Sequence, residues 1–170
     1  KYESASDSLS VPGQFWDDLK EKNISRLCAR SLARLQAPGE LVFCFLNRDI
    51  LVDVQHKSIR EIRNGKWREV EFQLLRLLVL VYLLNVTNTS LTQEKISVRD
   101  LKDAQFFQGP HALKTKPLLD VYGKDRAGFI HAAESIGGTA LEMADAAFRF
   151  LPFPKIPLYY LLWEGDDEFA

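Results

Sequence analysis

The side chains best suited to chemistry lie in the second half of this sequence. His131 and Glu134 are three residues apart, and so are Glu142 and Asp145. On a helix that spacing puts two side chains on one face. One imidazole and three carboxylates are ligands that suit a transition metal. Di-iron bundles, however, set Glu before His and repeat the motif on matching helices. Here the order is reversed and there is no second copy. The plainer reading is a local His131–Glu134 hydrogen bond or an exposed polar face. Glu164, Asp166, Asp167 and Glu168 form a second acidic group, with oxygen ligands of the kind that hold hard cations. Successive side chains at a strand end alternate between faces, so only some of these acids converge. The competing reading is a solvated acidic turn.

Three further groups carry weaker signals. Gly137-Gly138-Thr139 offers backbone N–H groups to an anion ahead of a helix. A helix stop followed by a Thr139-x-x-Glu142 capping box explains the same letters. His111 follows Gly109-Pro110 beside Lys114 and Lys116, a small basic loop able to meet phosphate or propionate groups, or simply an exposed helix start. Trp163, with Phe148, Phe150, Phe153, Tyr159 and Tyr160, suits either a flat-ligand pocket or a sheet core. His56 ends a strand beside Lys57 and suggests no chemistry. No Gly-x-Ser-x-Gly elbow accompanies the three histidines. Cys28 and Cys44 fall in apolar patterns and read as small core residues. Two cysteines cannot build a disulfide framework or a four-thiolate site.

Composition narrows the classes. The chain has 170 residues, with 22 Lys+Arg against 23 Asp+Glu, a net charge of −1. That leaves no basic footprint for nucleic acid. An apolar share of 46% with 26% charged residues describes a soluble globular protein. At this length one domain is expected, with no need of a disulfide or metal to fold. The N-terminus is polar and acidic, unlike a signal peptide. The chain opens on Lys1, which points to a removed N-terminal piece, and its sequons at Asn23, Asn85 and Asn88 matter only for a secreted protein. The longest apolar run, Leu74–Val86, is interrupted by Arg76 and falls short of the roughly 20 residues of a membrane span. A cytoplasmic protein with no membrane segment is the expectation.

These side chains must be positioned by a small set of elements. Residues 1–11 are Ser-rich and read as a disordered tail, leaving 12–170 as one domain. Apolar positions from Phe15 to Leu35 predict one or two amphipathic helices divided near Lys22-Asn23 and closed by Pro38-Gly39. Leu41–Leu46 and Ile50–Val54 predict a hairpin around Asn47-Arg48-Asp49. Lys57–Arg63, the Asn64-Gly65 turn and Lys66–Val70 complete an antiparallel meander. Glu69–Leu84 predicts a helix apolar nearly all round, hence central. Asn85–Thr92 is a polar loop. Ser97-Val98-Arg99-Asp100 opens a short helix through Asp103, and Pro117 bars a long helix beyond it. Asp125–Ile136 predicts a helix stopped by Gly137-Gly138. Strands follow near 146–151 and at Leu158–Glu164, the latter apolar enough for a central place. The fold class is therefore α+β, a single domain built from N-terminal helices, an antiparallel meander, a central apolar helix and a C-terminal strand.

Four pieces of the sequence carry a resemblance. They are Val81-Tyr82-Leu83-Leu84 leading to Ile96-Ser97-Val98-Arg99-Asp100-Leu101, then Phe106–Leu119 with Tyr122-Gly123, then Ala133-Glu134-Ser135-Ile136-Gly137-Gly138, and last Phe153-Pro154-Lys155-Ile156-Pro157-Leu158 with Leu162-Trp163-Glu164-Gly165-Asp166-Asp167-Glu168-Phe169. In their order and spacing over residues 76–170 they resemble the bacterial and archaeal family catalogued as domain of unknown function 3786. The N-terminal half fits in outline, as helix then meander. The family pattern usually runs on past the Gly-Asp-Asp-Glu-Phe segment with a further apolar strand and an acidic element. This sequence lacks that continuation, so the expectation is a short member or a missing tail. The resemblance implies an anaerobe-associated protein, and its iron–sulfur fusions imply redox or metallocofactor biology. Gly165–Phe169 also looks like the Gly-Gly-Asp-Glu-Phe signature of diguanylate cyclases, but Asp166 replaces the second Gly and the chain stops at once.

Two functions follow from the residues and the resemblance together. One is a binding or accessory module for an iron–sulfur or metallocofactor protein, with Trp163, the 166–168 acids, His111, His131, Glu134, Gly137 and Gly138 as the binding candidates. The other is a metal-dependent hydrolase or other enzyme built on His131/Glu134 and the Asp166–Glu168 carboxylates. A plain oligomerisation domain is the third and blandest reading.

Overall fold

A computed structural model describes residues 10–92, 94–107 and 112–164. The described residues are α+β, and they pack as two compact units: unit 1 from those of 10–89 and 150–158, and unit 2 from those of 90–149 and 159–164.

Unit 1 begins with α1 (Gly13–Lys20) and α2 (Ile24–Ser31). The predicted division at Lys22-Asn23 is present, because the Asn23 side chain caps α2 by accepting from the Arg26 N–H at 3.0 Å. The helical pattern was expected to run on to Leu35. Instead Leu32 takes a left-handed conformation and ends α2, and Arg34–Ala37 forms β1. The meander therefore has five strands in sequence order: β1, β2 (Glu40–Phe45), β3 (Arg48–Asp53), β4 (Ser58–Arg63) and β5 (Lys66–Glu69). The β2–β3 connection is tighter than Asn47-Arg48-Asp49, since Arg48 pairs with Phe45 and Asp49 with Cys44. Asn64 and Gly65 both have positive φ, as the turn requires.

Register sorts the strands into two faces. The rows Leu41–Val52–Ile59 and Phe43–Ile50 line the core side. Cys44 falls on the other side, opposite Asp49, and is exposed rather than buried; Cys28 is half-buried against the core. α3 (Gln73–Asn85) packs with α1 and α2. It is not buried all round: Val79, Leu80, Tyr82 and Leu83 point inward, while Leu74, Leu78 and Val81 form an exposed stripe at helical spacing. Phe153 closes this core, its ring stacked on Tyr82 at 4.6 Å and within 5.9 Å of Phe43 and Phe45. The Tyr82 hydroxyl donates to the Ser31 carbonyl at 2.7 Å, and burial pushes its pKa up to about 12.

Unit 2 holds two 3-10 turns, Val98–Asp100 and Ala104–Phe107. The capping box at Ser97 and Asp100 forms as predicted, but the helix lasts one turn because Leu101 is extended. α4 (Lys116–Tyr122) carries Pro117 in its first turn, where a missing N–H costs nothing. α5 (Arg126–Ser135) is capped by Asp125. β6 (Thr139–Leu141), β7 (Ala146–Phe153) and β8 (Ile156–Leu162) form a three-stranded sheet in that order. Two expectations are overturned here. The Thr139-x-x-Glu142 stretch is a strand and a turn, so no helix gathers Glu142 and Asp145 on one face. β8 lies at the edge of its sheet among the described strands, not centrally, because an apolar run alone does not reveal which neighbours it will have.

Candidate functional site

α5 does carry His131 and Glu134, three residues apart, with both side chains exposed. No hydrogen bond or ion pair joins them among the described residues. Gly137 and Gly138 end α5: Gly137 has φ +83°, its N–H donates to Glu134 O, and the Gly138 N–H donates to Ala133 O. Those donors are taken by carbonyls of the last helical turn, and no helix follows to complete an anion site. Trp163 lies just past β8 and is 64% exposed, and the next N–H, of Glu164, donates to Asp145 Oδ2 at 2.7 Å. His111, Asp166, Asp167 and Glu168 lie outside the described residues. Among the described residues no three His, Cys, Asp or Glu side chains come together to hold a metal.

The best-formed polar clusters belong to unit 1, where sequence reading saw none. Asp53 is only 6% exposed. Its Oδ1 accepts from the N–H groups of Gln55 and His56 at 3.1 and 3.0 Å, and its Oδ2 lies 2.7 Å from His56 Nδ1. Burial pushes the carboxyl pKa up, but the backbone and ring of His56 and the Gln55 N–H together hold it below the ordinary carboxylate range. The available signal was an Asp-x-x-His spacing at a strand end, where Asp side chains bind the backbone just ahead. Glu61, 2% exposed, is met by Arg48 at 2.8 Å and by Arg63. Both clusters satisfy buried charge.

Unit 2 presents a different surface. None of the seven residues of α4 is buried. Leu118, Leu119 and Val121 are exposed, as are Leu113, Phe106 and Ile136 elsewhere in the unit. Between α4, α5 and β8 lies an apolar cleft of about 250 Å³, lined by Thr115, Leu118, Leu119, Tyr122, Phe129, Tyr160, Leu161 and Leu162. Tyr122 meets Phe129 edge-on at 6.0 Å, and Phe129 meets Phe148 at 5.8 Å, which fixes the cleft floor. Within the cleft the described polar groups are the Thr115 and Tyr hydroxyls and the backbone. Such a surface can bury apolar area, with hydroxyls as its described side-chain polar groups.

Fold and surface thus define a small α+β protein with a closed core in one unit and an apolar recess in the other. Its sequence matches the family described as domain of unknown function (DUF3786) over residues 23–170, and the chain belongs to that family. No curated protein and no solved structure matches it significantly. No helix among the described residues is long and apolar enough to cross a membrane.

Proposed function

We propose that this chain is a binding or accessory module that docks a redox or metallocofactor protein, or holds its cofactor, through unit 2. The observation that carries the reading is α4, a helix without a single buried side chain bordering an apolar cleft. Exposed apolar surface gathered around a recess marks interaction sites. The redox side of the reading is supported by the iron–sulfur fusions that the family resemblance implies, and a cytoplasmic setting goes with it.

A photo-crosslinking residue placed at Leu119 tests this in cells of the source organism. The expected result is one discrete adduct, identified by mass spectrometry as a metal- or cluster-bearing protein. The same residue at Arg26, exposed on α2 in unit 1, should give none. No adduct from position 119, or equal adducts from both positions, would overturn the reading. A visible absorbance that stays with the chain through anaerobic gel filtration would support its holding the cofactor itself.

A further inference from the structure

Unit 1 contains a second recess, of about 380 Å³, on the sheet side away from Leu41 and Val52. That volume lies in the range of small-molecule pockets. Its apolar lining is Leu32, Val42, Phe43, Leu46, Leu151 and Pro154. Two of them are leucines in the left-handed region, Leu32 at φ 56° and Leu46 at φ 55°. Bulky side chains rarely adopt that conformation, and such residues gather at functional sites when their surroundings hold them. Leu46 is held from both sides. Its N–H donates to Leu151 O at 3.0 Å, and its carbonyl accepts from Cys44 Sγ at 3.0 Å.

The polar edge of the recess is one ion pair, Arg34 Nη2 to Asp49 Oδ2 at 2.7 Å. No other charged side chain lines it. A guanidinium carries five donors and a carboxylate two acceptor oxygens. Only one contact joins Arg34 and Asp49, so each keeps capacity for a ligand. A lone anion would face Asp49 and a lone cation would face Arg34, each with a like charge beside it. A head group with both a carboxylate and an ammonium satisfies the pair without that penalty.

We infer that this recess binds a small apolar zwitterion of the class of the larger apolar amino acids. The carboxylate meets Arg34, the ammonium meets Asp49, and the side chain lies against Val42, Leu151 and Pro154. Cys44 lines the same recess and serves as its reporter. Although Cys44 is exposed, partial desolvation by its neighbours first, and then the Asp49 charge, push its thiol pKa up, so it alkylates slowly at neutral pH and is best followed in mild alkali.

The test measures iodoacetamide alkylation of Cys44 by peptide mass spectrometry, with the half-buried Cys28 as internal control. L-phenylalanine, phenylacetate and phenethylamine are the probes. L-phenylalanine should slow Cys44 about tenfold at roughly nine times its Kd, as mass action requires if the thiol reacts only in the empty recess. Cys28 should not change, and the two half-probes should protect much less. Arg34→Gln alters an exposed side chain, so it should remove the protection and leave Tm unchanged. Three results would overturn the inference: no protection by L-phenylalanine up to tens of millimolar, equal protection by either half-probe, or parallel slowing of Cys28.

Discussion

The two units bury their apolar residues to very different depths. The most deeply buried large side chains of the described residues, from Leu19 through Ile50 and Ile59 to Leu83, all belong to unit 1. In unit 2 the buried side chains are few and several are small, as at Ala133, Ala146 and Ala147. Leu118, Leu119 and Val121 of α4 remain in contact with solvent. A seven-residue helix is too short to be stable by propensity alone. α4 is held by the Tyr122–Phe129 contact and an exposed Lys116–Asp120 pair at 2.8 Å, which contributes little. Among the described residues, unit 1 holds the deeply packed core and unit 2 leaves more of its apolar side chains in contact with solvent.

That division ranks the expected effects of substitution. The largest is Phe153→Ala, which empties the centre of the Tyr82–Phe43–Phe45 aromatic cluster and should cost about 3–5 kcal/mol in denaturant unfolding. A loss under about 1 kcal/mol, the level of an ordinary surface change, would break the comparison at its strong end.

Asp53→Asn comes next, at about 1–3 kcal/mol near neutral pH, because it removes a carboxylate that receives three hydrogen bonds. The pH dependence has a definite sign. The folded pKa lies below the unfolded value of about 3.9, so the stabilisation is complete above that value and fades as pH falls through the folded one. The gap between wild type and variant should therefore shrink in acid below about pH 4. A constant gap would assign the loss to shape and not to charge.

Tyr82→Phe keeps the ring and loses the bond to Ser31 O, for about 1 kcal/mol. The smallest effect is at Leu119→Ser, on a side chain that is 55% exposed, and it should change stability by no more than about 0.5 kcal/mol. The same change should weaken partner capture from α4, and a large loss of stability there would sharpen the comparison in the opposite direction, by making α4 part of the core.

Local chemistry made part of this legible in the sequence. Asn64-Gly65 reads directly as a turn because both residues tolerate positive φ, and Asn23 and Asp125 are helix caps wherever a helix follows. The misreadings arose where tertiary context decides. Leu32 and Leu35 continue a helical spacing, but the left-handed turn at Leu32 converts the next residues to β1. Thr139-x-x-Glu142 carries a capping signature, yet pairing of Thr139 with Arg149 and Leu141 with Ala147 makes it a strand. Cys44 looks like core until the register places it with Asp49 on the other face. The α4 surface was illegible for a related reason. Leucine at helical spacing predicts burial, and only the packed structure reveals that Leu118 and Leu119 stay 40% and 55% exposed among the described residues.

Native-state hydrogen exchange, resolved by peptide, tests the division between the units most directly. The account predicts that amides of β2, β3, β4 and α3 exchange only through global unfolding, while those of α4 exchange through local opening at a far smaller free energy. If the α4 amides prove as protected as those of β3, unit 2 shares the folding core, and its exposed leucines cannot be read as a surface kept free for a partner.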